Sequence, residues 1–265
     1  MSDDHVLQNI ANGVMTLAFN RPEKKNAITD EMYGALADGF ADAETNPAVR
    51  VVLFRGEGGS FTAGNDLSSF AAQNAAGRAP SEPAAEANVT RFIKSLARAR
   101  KPVVAAVTGP AVGVGFTMLL HCDLVFVATD ARLSAPFVSL ALVPEAASTL
   151  LLPASVGHAR AFSLFATGQV LSGAEALEWG IANAALPAGD VDAAALAAAE
   201  ALANQPTQAV IATKGLLRNP EALLSQMTRE GQLFAEQLVS AEAKEAFAAF
   251  AERRKPNFQK LAAGA

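Results

Sequence analysis

The sequence predicts an α/β fold that closes with a helical region. Two observations carry this prediction: short apolar runs typical of strands alternate with segments of helical periodicity, and from Asp190 onward the pattern is helical throughout. The chain has 265 residues, of which 51% are hydrophobic and 18% are charged. It is therefore globular, and it is long enough for one large domain or a domain with an appendage.

Four segments are predicted to be strands. Residues 13–19 alternate between the two faces of a strand, whereas residues 49–55 are richer in β-branched side chains. Residues 103–107 and 124–128 are wholly apolar, which favours buried strands. Residues 71–88 are rich in Ala, Ser, Pro and Gly and predict a mobile loop.

Helix boundaries are predicted from capping residues. Thr29 and Asp30 are good N-caps for a first helix. Ser172 and Glu175 have the capping-box spacing, and Gly180 is placed to end the helix that they begin. The other predicted helices are a short one around Phe92, Ile93 and Leu96 and three that begin at Asp190, Asn219-Pro220 and Ser240.

Charge and composition exclude several classes of function. The net charge of −5 gives no electrostatic basis for binding nucleic acid or an anionic membrane. The apolar stretch 111–120 is too short to span a bilayer, and the single cysteine, Cys122, fits a reducing compartment. Neither end of the sequence carries a targeting pattern, so a cytoplasmic location is expected. The three scattered histidines predict neither a metal site nor a catalytic triad.

Two glycine-bearing loops are candidates for binding a negative oxygen. Residues 61–67 (Phe-Thr-Ala-Gly-Asn-Asp-Leu) and residues 109–115 (Gly-Pro-Ala-Val-Gly-Val-Gly) each follow an apolar strand-like run. Glycine lets a ligand approach main-chain N–H groups, and two such loops can direct two donors at one oxygen. An ordinary turn is the alternative for the first loop. A dinucleotide loop is improbable for the second, because Met118 stands where the third glycine would fall.

Glu145 is the candidate acid–base residue. It is a lone carboxylate in an otherwise apolar neighbourhood, and such a setting favours a raised pKa and general-base catalysis. The alternative is an exposed residue in the first turn of a helix after Pro144, where glutamate is common.

The motifs together resemble the crotonase (enoyl-CoA hydratase/isomerase) superfamily, and within it the Δ3,Δ2-enoyl-CoA isomerases of the peroxisomal type. Nearly the whole chain is covered, and six motifs occur in the family's order, which makes the resemblance specific. The segments that carry it are 19–27, 61–67, 109–123, 135–148, 171–176 with Gly180-Ile181, and 253–258.

The resemblance implies a fold and an assembly. The expected fold is the ClpP/crotonase spiral of ββα units, with a C-terminal helical region. Residues 1–200 would form the spiral core with the CoA-ester site, and residues 201–265 would form a helical trimerisation region. A homotrimer or a hexamer made of two trimers is expected.

The resemblance also implies roles for individual residues. The N–H groups of Asn65 and Val114 would hold the thioester oxygen, and Glu145 would move the proton. No metal or redox cofactor is expected. Coenzyme A would enter as part of the acyl-CoA substrate. The residues expected to bind the substrate are Lys24, Lys25, Ala63, Gly64, Asp66, Leu67, Gly113 and Phe137; without the resemblance, the two lysines would be read as a solvated pair.

Two departures from the family pattern decide between activities. Hydratases of the superfamily carry two glutamates, and these would fall at Thr117 and Phe137. Neither residue can activate water, whereas Glu145 matches the single glutamate of the isomerases. The sequence therefore predicts conversion of a 3-enoyl-CoA to a trans-2-enoyl-CoA. The alternatives are a hydratase or another crotonase-type reaction, a non-catalytic acyl-CoA-binding module and, remotely, a peptidase of the shared fold.

Overall fold

A largely parallel sheet of six strands runs through the structure, a computed structural model that describes residues 5–66 and 86–259. The described strands, in chain order, are β1 (Val6–Ala11), β2 (Val14–Phe19), β3 (Val51–Gly56), β4 (Val103–Val107), β5 (Pro110–Val112), β6 (Leu124–Ala128), β7 (Arg132–Ser134), β8 (Val170–Ser172) and β9 (Ala184–Leu186). The large sheet has the order β1-β2-β3-β4-β6-β9, and only β1 and β2 pair antiparallel. A small sheet has the order β5-β7-β8. Predicted strands 13–19, 49–55, 103–107 and 124–128 correspond to β2, β3, β4 and β6.

The first strand, β1, was not predicted. Its side chains are mostly exposed on both faces, so it lacks the alternation that marks a half-buried strand. The signal that reveals it is the turn before β2, where Asn12 and Gly13 have φ angles of 51° and 80°. Asn-Gly is the preferred dipeptide of a two-residue hairpin turn with both φ angles positive.

Four of the helices begin at predicted capping residues whose hydrogen bonds form. Thr29 accepts a hydrogen bond from the N–H of Met32, and both halves of the capping box between Ser172 and Glu175 form. Asn219 and Ser240 cap their helices in the same way. The helices are α1 (Asp30–Thr45), α2 (Asn88–Arg98), α3 (Val114–Thr117), α4 (Ser148–Val156), α5 (His158–Thr167), α6 (Gly173–Glu178), α7 (Val191–Ala203), α8 (Thr207–Leu217), α9 (Pro220–Leu238) and α10 (Ala241–Ala251). Most of the predicted loop 71–88 lies outside the described residues.

Helices cover both faces of the large sheet. On one face, the Phe54 ring of β3 contacts the rings of Phe40 in α1 and Phe92 in α2. On the other face, α7 packs against β3, β4 and β6. Strands covered on both faces bury every side chain, which is why β4 reads as a continuous apolar run.

The helices beyond residue 200 share the core of the preceding part. Leu238, Ala243 and Phe247 belong to the same apolar cluster as the large sheet. In α8, the ammonium of Lys214 is buried and lies 2.6 Å from a carboxylate oxygen of Asp123. The boundary at residue 200 and a role of the last helices in trimer formation stay predictions.

Candidate active site

The two predicted loops lie against each other. The N–H of Thr62 donates to the carbonyl of Pro110 at 3.0 Å, and the N–H of Val112 donates to the carbonyl of Thr62 at 3.1 Å. Gly64 has a φ of 85°, and a Cβ at this position would lie 2.5 Å from the carbonyl oxygen of Val112. Only glycine allows this approach, and the approach brings Asn65 and Val114 to the same place in the fold.

Two main-chain N–H groups, those of Asn65 and Val114, lie where the loops meet. Within residues 5–66 and 86–259, neither the N–H of Asn65 nor that of Val114 donates a hydrogen bond. Val114 is the first residue of α3, where the helix dipole favours a negative charge. Gly113 before it has a φ of 58°, and a Cβ there would point into open space. A ligand oxygen at this point would accept from two donors that the described residues do not use.

The Asn65 side chain is held by a tyrosine. The hydroxyl of Tyr33, the only tyrosine of the chain, donates to Oδ1 of Asn65. Burial in α1 raises the pKa of Tyr33 well above its usual value, and the negative charge of Glu145 raises it further. Tyr33 was not predicted as a site residue, although it lies three residues before Leu36 on the buried face of α1.

Glu145 lies in the turn before α4, with its carboxyl enclosed. Oε1 accepts a hydrogen bond of 2.5 Å from the hydroxyl of Thr117. Oε2 is buried and has no partner within the described part of the chain. Burial raises the pKa of Glu145 to about 7; the Thr117 hydrogen bond lowers it and the charge of Glu230 raises it. The alternative of an exposed residue in the first turn of a helix is wrong, because α4 begins only at Ser148.

This carboxyl suits proton transfer at neutral pH. A group with a pKa near the working pH is present in both its basic and its acidic form, and it can both take and return a proton. The side chain of Thr117 occupies one oxygen and leaves the other available.

The backbone after Glu145 has an unusual conformation. Ala146 and Ala147 both lie in the left-handed region, with φ angles of 61° and 54°. Non-glycine residues pay a steric cost there, so neighbouring groups must hold this turn in place. The carbonyl of Ala146 lies 2.7 Å from Nε2 of His121, and the N–H of Ala147 donates to Glu230 at 2.6 Å.

His121 acts as a neutral donor in this contact. Burial lowers the pKa of His121 to about 3, so the ring carries one proton. A carbonyl can only accept, which places that proton on Nε2 and leaves Nδ1 as a buried acceptor. The prediction that His121 belongs to the core agrees with its complete burial.

Several of the predicted substrate-binding residues lie in the first loop or beside it. The carbonyl of Lys25 accepts from the N–H of Ala63 at 2.9 Å, and the side chains of Lys24 and Lys25 are exposed. The carboxylate of Asp66 lies 2.9 Å from the guanidinium of Arg21, which was not predicted as part of the site. Phe137 is buried just before a short 3-10 helix. Leu67 lies outside the described residues.

The described residues contain neither a candidate metal site nor a candidate membrane-spanning helix. No group of three or more His, Cys, Asp or Glu side chains in residues 5–66 and 86–259 is placed to hold a metal ion. No helix of the same residues is both long enough and apolar enough to cross a membrane.

Comparison with known proteins gives a consistent result. A sequence model of the family described as enoyl-CoA hydratase/isomerase matches residues 9–261. The 1,2-epoxyphenylacetyl-CoA isomerase of Escherichia coli (strain K12) is 34% identical, over 96% of this chain and 98% of the relative. Peroxisomal enoyl-CoA delta isomerase 3 of Mus musculus is 34% identical, over 69% of this chain and 57% of the relative.

A solved structure agrees with the fold. The enoyl-CoA hydratase/isomerase from Pseudoalteromonas atlantica T6c superposes with a TM-score of 0.89 at 43% identity, over 96% of this chain and 100% of that one. The family match favours acyl-CoA chemistry over the peptidase alternative. The chain therefore belongs to the enoyl-CoA hydratase/isomerase family, and it is an enzyme of that family with the crotonase fold.

Proposed function

We propose that this enzyme is a Δ3,Δ2-enoyl-CoA isomerase, which converts a 3-enoyl-CoA to a trans-2-enoyl-CoA. The observation that carries the proposal is the carboxyl of Glu145, which is enclosed, has a pKa of about 7 and keeps one oxygen without a partner in the described residues. Thr117 and Phe137 stand where a hydratase of the family would carry its two glutamates. Thr117 instead donates to Glu145. One base suffices for moving a proton between two carbons of the same substrate.

In the proposed mechanism, the thioester oxygen accepts from the N–H groups of Asn65 and Val114. Glu145 takes a proton from C2, and the electron pair of that C–H bond forms a C1–C2 double bond while the carbonyl pair moves onto the thioester oxygen, which gives a dienolate. When the carbonyl re-forms, the C1–C2 pair becomes the C2–C3 double bond, and the pair of the old C3–C4 double bond takes the same proton back from Glu145 at C4. The two N–H donors stabilise the dienolate that forms between these steps.

No metal or redox cofactor takes part in the proposed reaction. A 1,3-proton shift neither gains nor loses electrons, and the developing negative charge is held by main-chain donors. Coenzyme A enters as part of the substrate. The exposed lysines Lys24 and Lys25, beside the first loop, are proposed to face its anionic part.

The test compares two substrates with the same enzyme. Incubation with 3-hexenoyl-CoA should give the conjugated 2-enoyl thioester, which is followed by its absorbance. Crotonyl-CoA should give little or no 3-hydroxybutyryl-CoA, because Thr117 and Phe137 stand where a hydratase would carry the glutamates that activate water. Hydration much faster than isomerisation would contradict the proposal, and the absence of both reactions with intact ester binding would favour a binding module.

A second candidate is the isomerisation of an epoxide thioester. It is favoured by the relative named 1,2-epoxyphenylacetyl-CoA isomerase, which is aligned over 96% of this chain. Such a substrate would also place its thioester at the main-chain donors and its reacting carbons near Glu145. Measuring kcat/KM for 1,2-epoxyphenylacetyl-CoA and for 3-enoyl-CoA esters of several lengths would rank the two candidates.

A trimer or a hexamer and a cytoplasmic location remain proposals that follow from the resemblance. Light scattering of the purified protein tests the first, because a monomer would exclude both assemblies.

Removing the Tyr33 hydroxyl should weaken the site without abolishing it. In Tyr33→Phe, Oδ1 of Asn65 loses its partner, and the loop that presents the Asn65 N–H is held less firmly. Because the loss of one hydrogen bond raises the barrier only modestly, kcat should fall by about 3- to 10-fold. The measurement is kcat with 3-hexenoyl-CoA.

The matched variant for this prediction is Asn65→Ala, which keeps the main-chain N–H. It should also have a mild effect on kcat, but it leaves a buried phenol unpaired and should destabilise the fold by about 1–3 kcal/mol. The double variant should recover part of that stability. Effects on stability that simply add would show that Tyr33 and Asn65 are not coupled.

A further inference from the structure

The loop that carries Glu145 is bonded to a second buried carboxylate, on a distant helix. We infer that Glu230, on α9, is a positioning residue for Glu145: it fixes the main chain of this loop, and its negative charge acts on the Glu145 carboxyl. This inference rests on the proposed role of Glu145. It concerns a residue of the C-terminal helical region that was not predicted from the sequence.

Within the described part of the chain, the side-chain hydrogen bonds of Glu230 are all with the segment after Glu145. One carboxylate oxygen accepts from the N–H of Ala147 at 2.6 Å. The other accepts from the N–H of Thr149 at 3.0 Å and from the hydroxyl of the same residue. The amide of Gln226, one turn earlier on α9, donates to that hydroxyl at 2.7 Å. Glu230 itself is only 3% exposed.

The loop needs such an anchor. Ala146 and Ala147 are consecutive non-glycine residues in the left-handed region, a conformation that persists only where the surroundings impose it. Both alanines are buried in a small apolar cluster together with Leu223 and Met227 of α9. One helix therefore both packs against the turn and accepts its N–H, and this fixes the direction in which the Glu145 side chain leaves the backbone.

A carboxylate fits this position better than an amide. The groups that face Glu230 are two N–H donors and a hydroxyl, so an acceptor is needed on each oxygen. In Glu230→Gln, the amide NH2 would meet an N–H donor, and one hydrogen bond would be lost. The substitution would also remove the charge that acts on Glu145.

Few other ionisable groups act on Glu145 within the described residues. The charge of Glu230 raises the pKa of Glu145, and the phenol of Tyr33 is neutral at physiological pH because its pKa is raised. His121 is neutral as well, and beyond it Arg218 and Lys214 bond to the carbonyl of His121 and to Asp123. Removal of the Glu230 charge should therefore lower the pKa of Glu145.

The test is the pH profile of Glu230→Gln with 3-hexenoyl-CoA. The plateau of kcat should fall by about 10- to 100-fold, because the base is no longer held in place. The acidic limb should move to lower pH, because the base form of Glu145 is no longer disfavoured by a neighbouring negative charge. Glu236→Gln, an exposed position on the same helix, is the matched control and should change neither.

Glu230→Asp separates position from charge. It keeps the carboxylate on a shorter side chain, so the plateau should fall while the acidic limb stays near that of the wild type. If Glu230→Gln fails to fold, as judged by circular dichroism and ester binding, Glu230→Asp carries the test, and an unchanged plateau in that variant overturns the inference. A lower plateau in Glu230→Gln without any shift of the limb overturns the charge effect.

Titration of the carboxyl by ¹³C NMR separates this inference from the proposed function. The Glu145 resonance is assigned by its loss in Glu145→Gln. The pKa of Glu145 should fall in Glu230→Gln even if a 3-enoyl-CoA is not the substrate. An isomerase that needs Glu145 but is unaffected by Glu230→Gln, in rate and in titration, overturns only the inference. An enzyme that turns over 3-enoyl-CoA without Glu145 overturns the proposed function.

Discussion

Replacing Glu145 with Gln should lower isomerase turnover by about 10²- to 10⁴-fold, the range expected for losing a general acid–base group. The amide keeps the size of the side chain and can still accept from Thr117, but it cannot take a proton from C2. The affinity for the CoA ester should be nearly unchanged, because the thioester is proposed to be held by main-chain donors. Single-turnover measurements with 3-hexenoyl-CoA give the rate, and calorimetry gives the affinity. Full activity would remove Glu145 from the mechanism.

The same variant should be more stable than the wild type at high pH. The pKa of Glu145 is raised from 4.5 to about 7 in the folded protein. The stability that goes with a raised pKa is present below the unfolded value and is lost as the pH rises through the folded value. Glu145→Gln avoids this loss, so its advantage should be near zero at pH 4.5 and should reach up to about 3 kcal/mol at pH 8.5. Denaturant unfolding at several pH values measures this, and a gap that does not widen with pH would contradict the raised pKa.

Replacing Val114 with Pro should lower kcat by about 10²- to 10³-fold, the cost of removing one oxyanion donor. Proline is tolerated at the first position of a helix, and Val114 is the first residue of α3. Within the described residues the N–H of Val114 makes no hydrogen bond, so proline deletes the donor without breaking an existing contact there. The loss should appear in kcat with 3-hexenoyl-CoA.

Val114→Ala is the control for the side chain. It keeps the N–H but removes two buried methyl groups, so it should destabilise the fold by about 1–3 kcal/mol while most of the activity remains. Equal losses of kcat in the two variants would show that the Val114 side chain, not its N–H, matters. An active Val114→Pro would place the oxyanion elsewhere.

Patterns of neighbouring residues in the sequence predicted the helix starts and the two glycine-bearing loops. Thr29, Asn219 and Ser240 cap their helices because a side-chain oxygen satisfies an N–H within the same turn. The two loops are marked by glycines, because a Cβ at Gly64 would clash with Val112 and Gly113 has a positive φ, and the resemblance pointed to the acid–base residue.

The site residues that the sequence did not predict depend on contacts between residues that are far apart in the chain. Tyr33 and Asn65 are 32 positions apart, and their hydrogen bond exists only when α1 packs beside the first loop. Glu230 follows Leu223 and Met227 at helical spacing on the buried face of α9, but the donors that satisfy its carboxylate lie 83 and 81 positions earlier in the chain. The strand β1 was missed for another reason, because its side chains are exposed and its only signal is the Asn12-Gly13 turn.

The left-handed turn after Glu145 has a consequence for protein synthesis. The acceptor of the Ala147 N–H lies 83 residues further along the chain, on a helix that the ribosome makes well after the loop itself. A nascent chain that stops before Glu230 already contains both proposed oxyanion donors and Glu145, but it lacks the group that secures the turn. If Glu230 has the role proposed above, chains shortened before α9 should keep both donors and Glu145 but lose most of the isomerase activity.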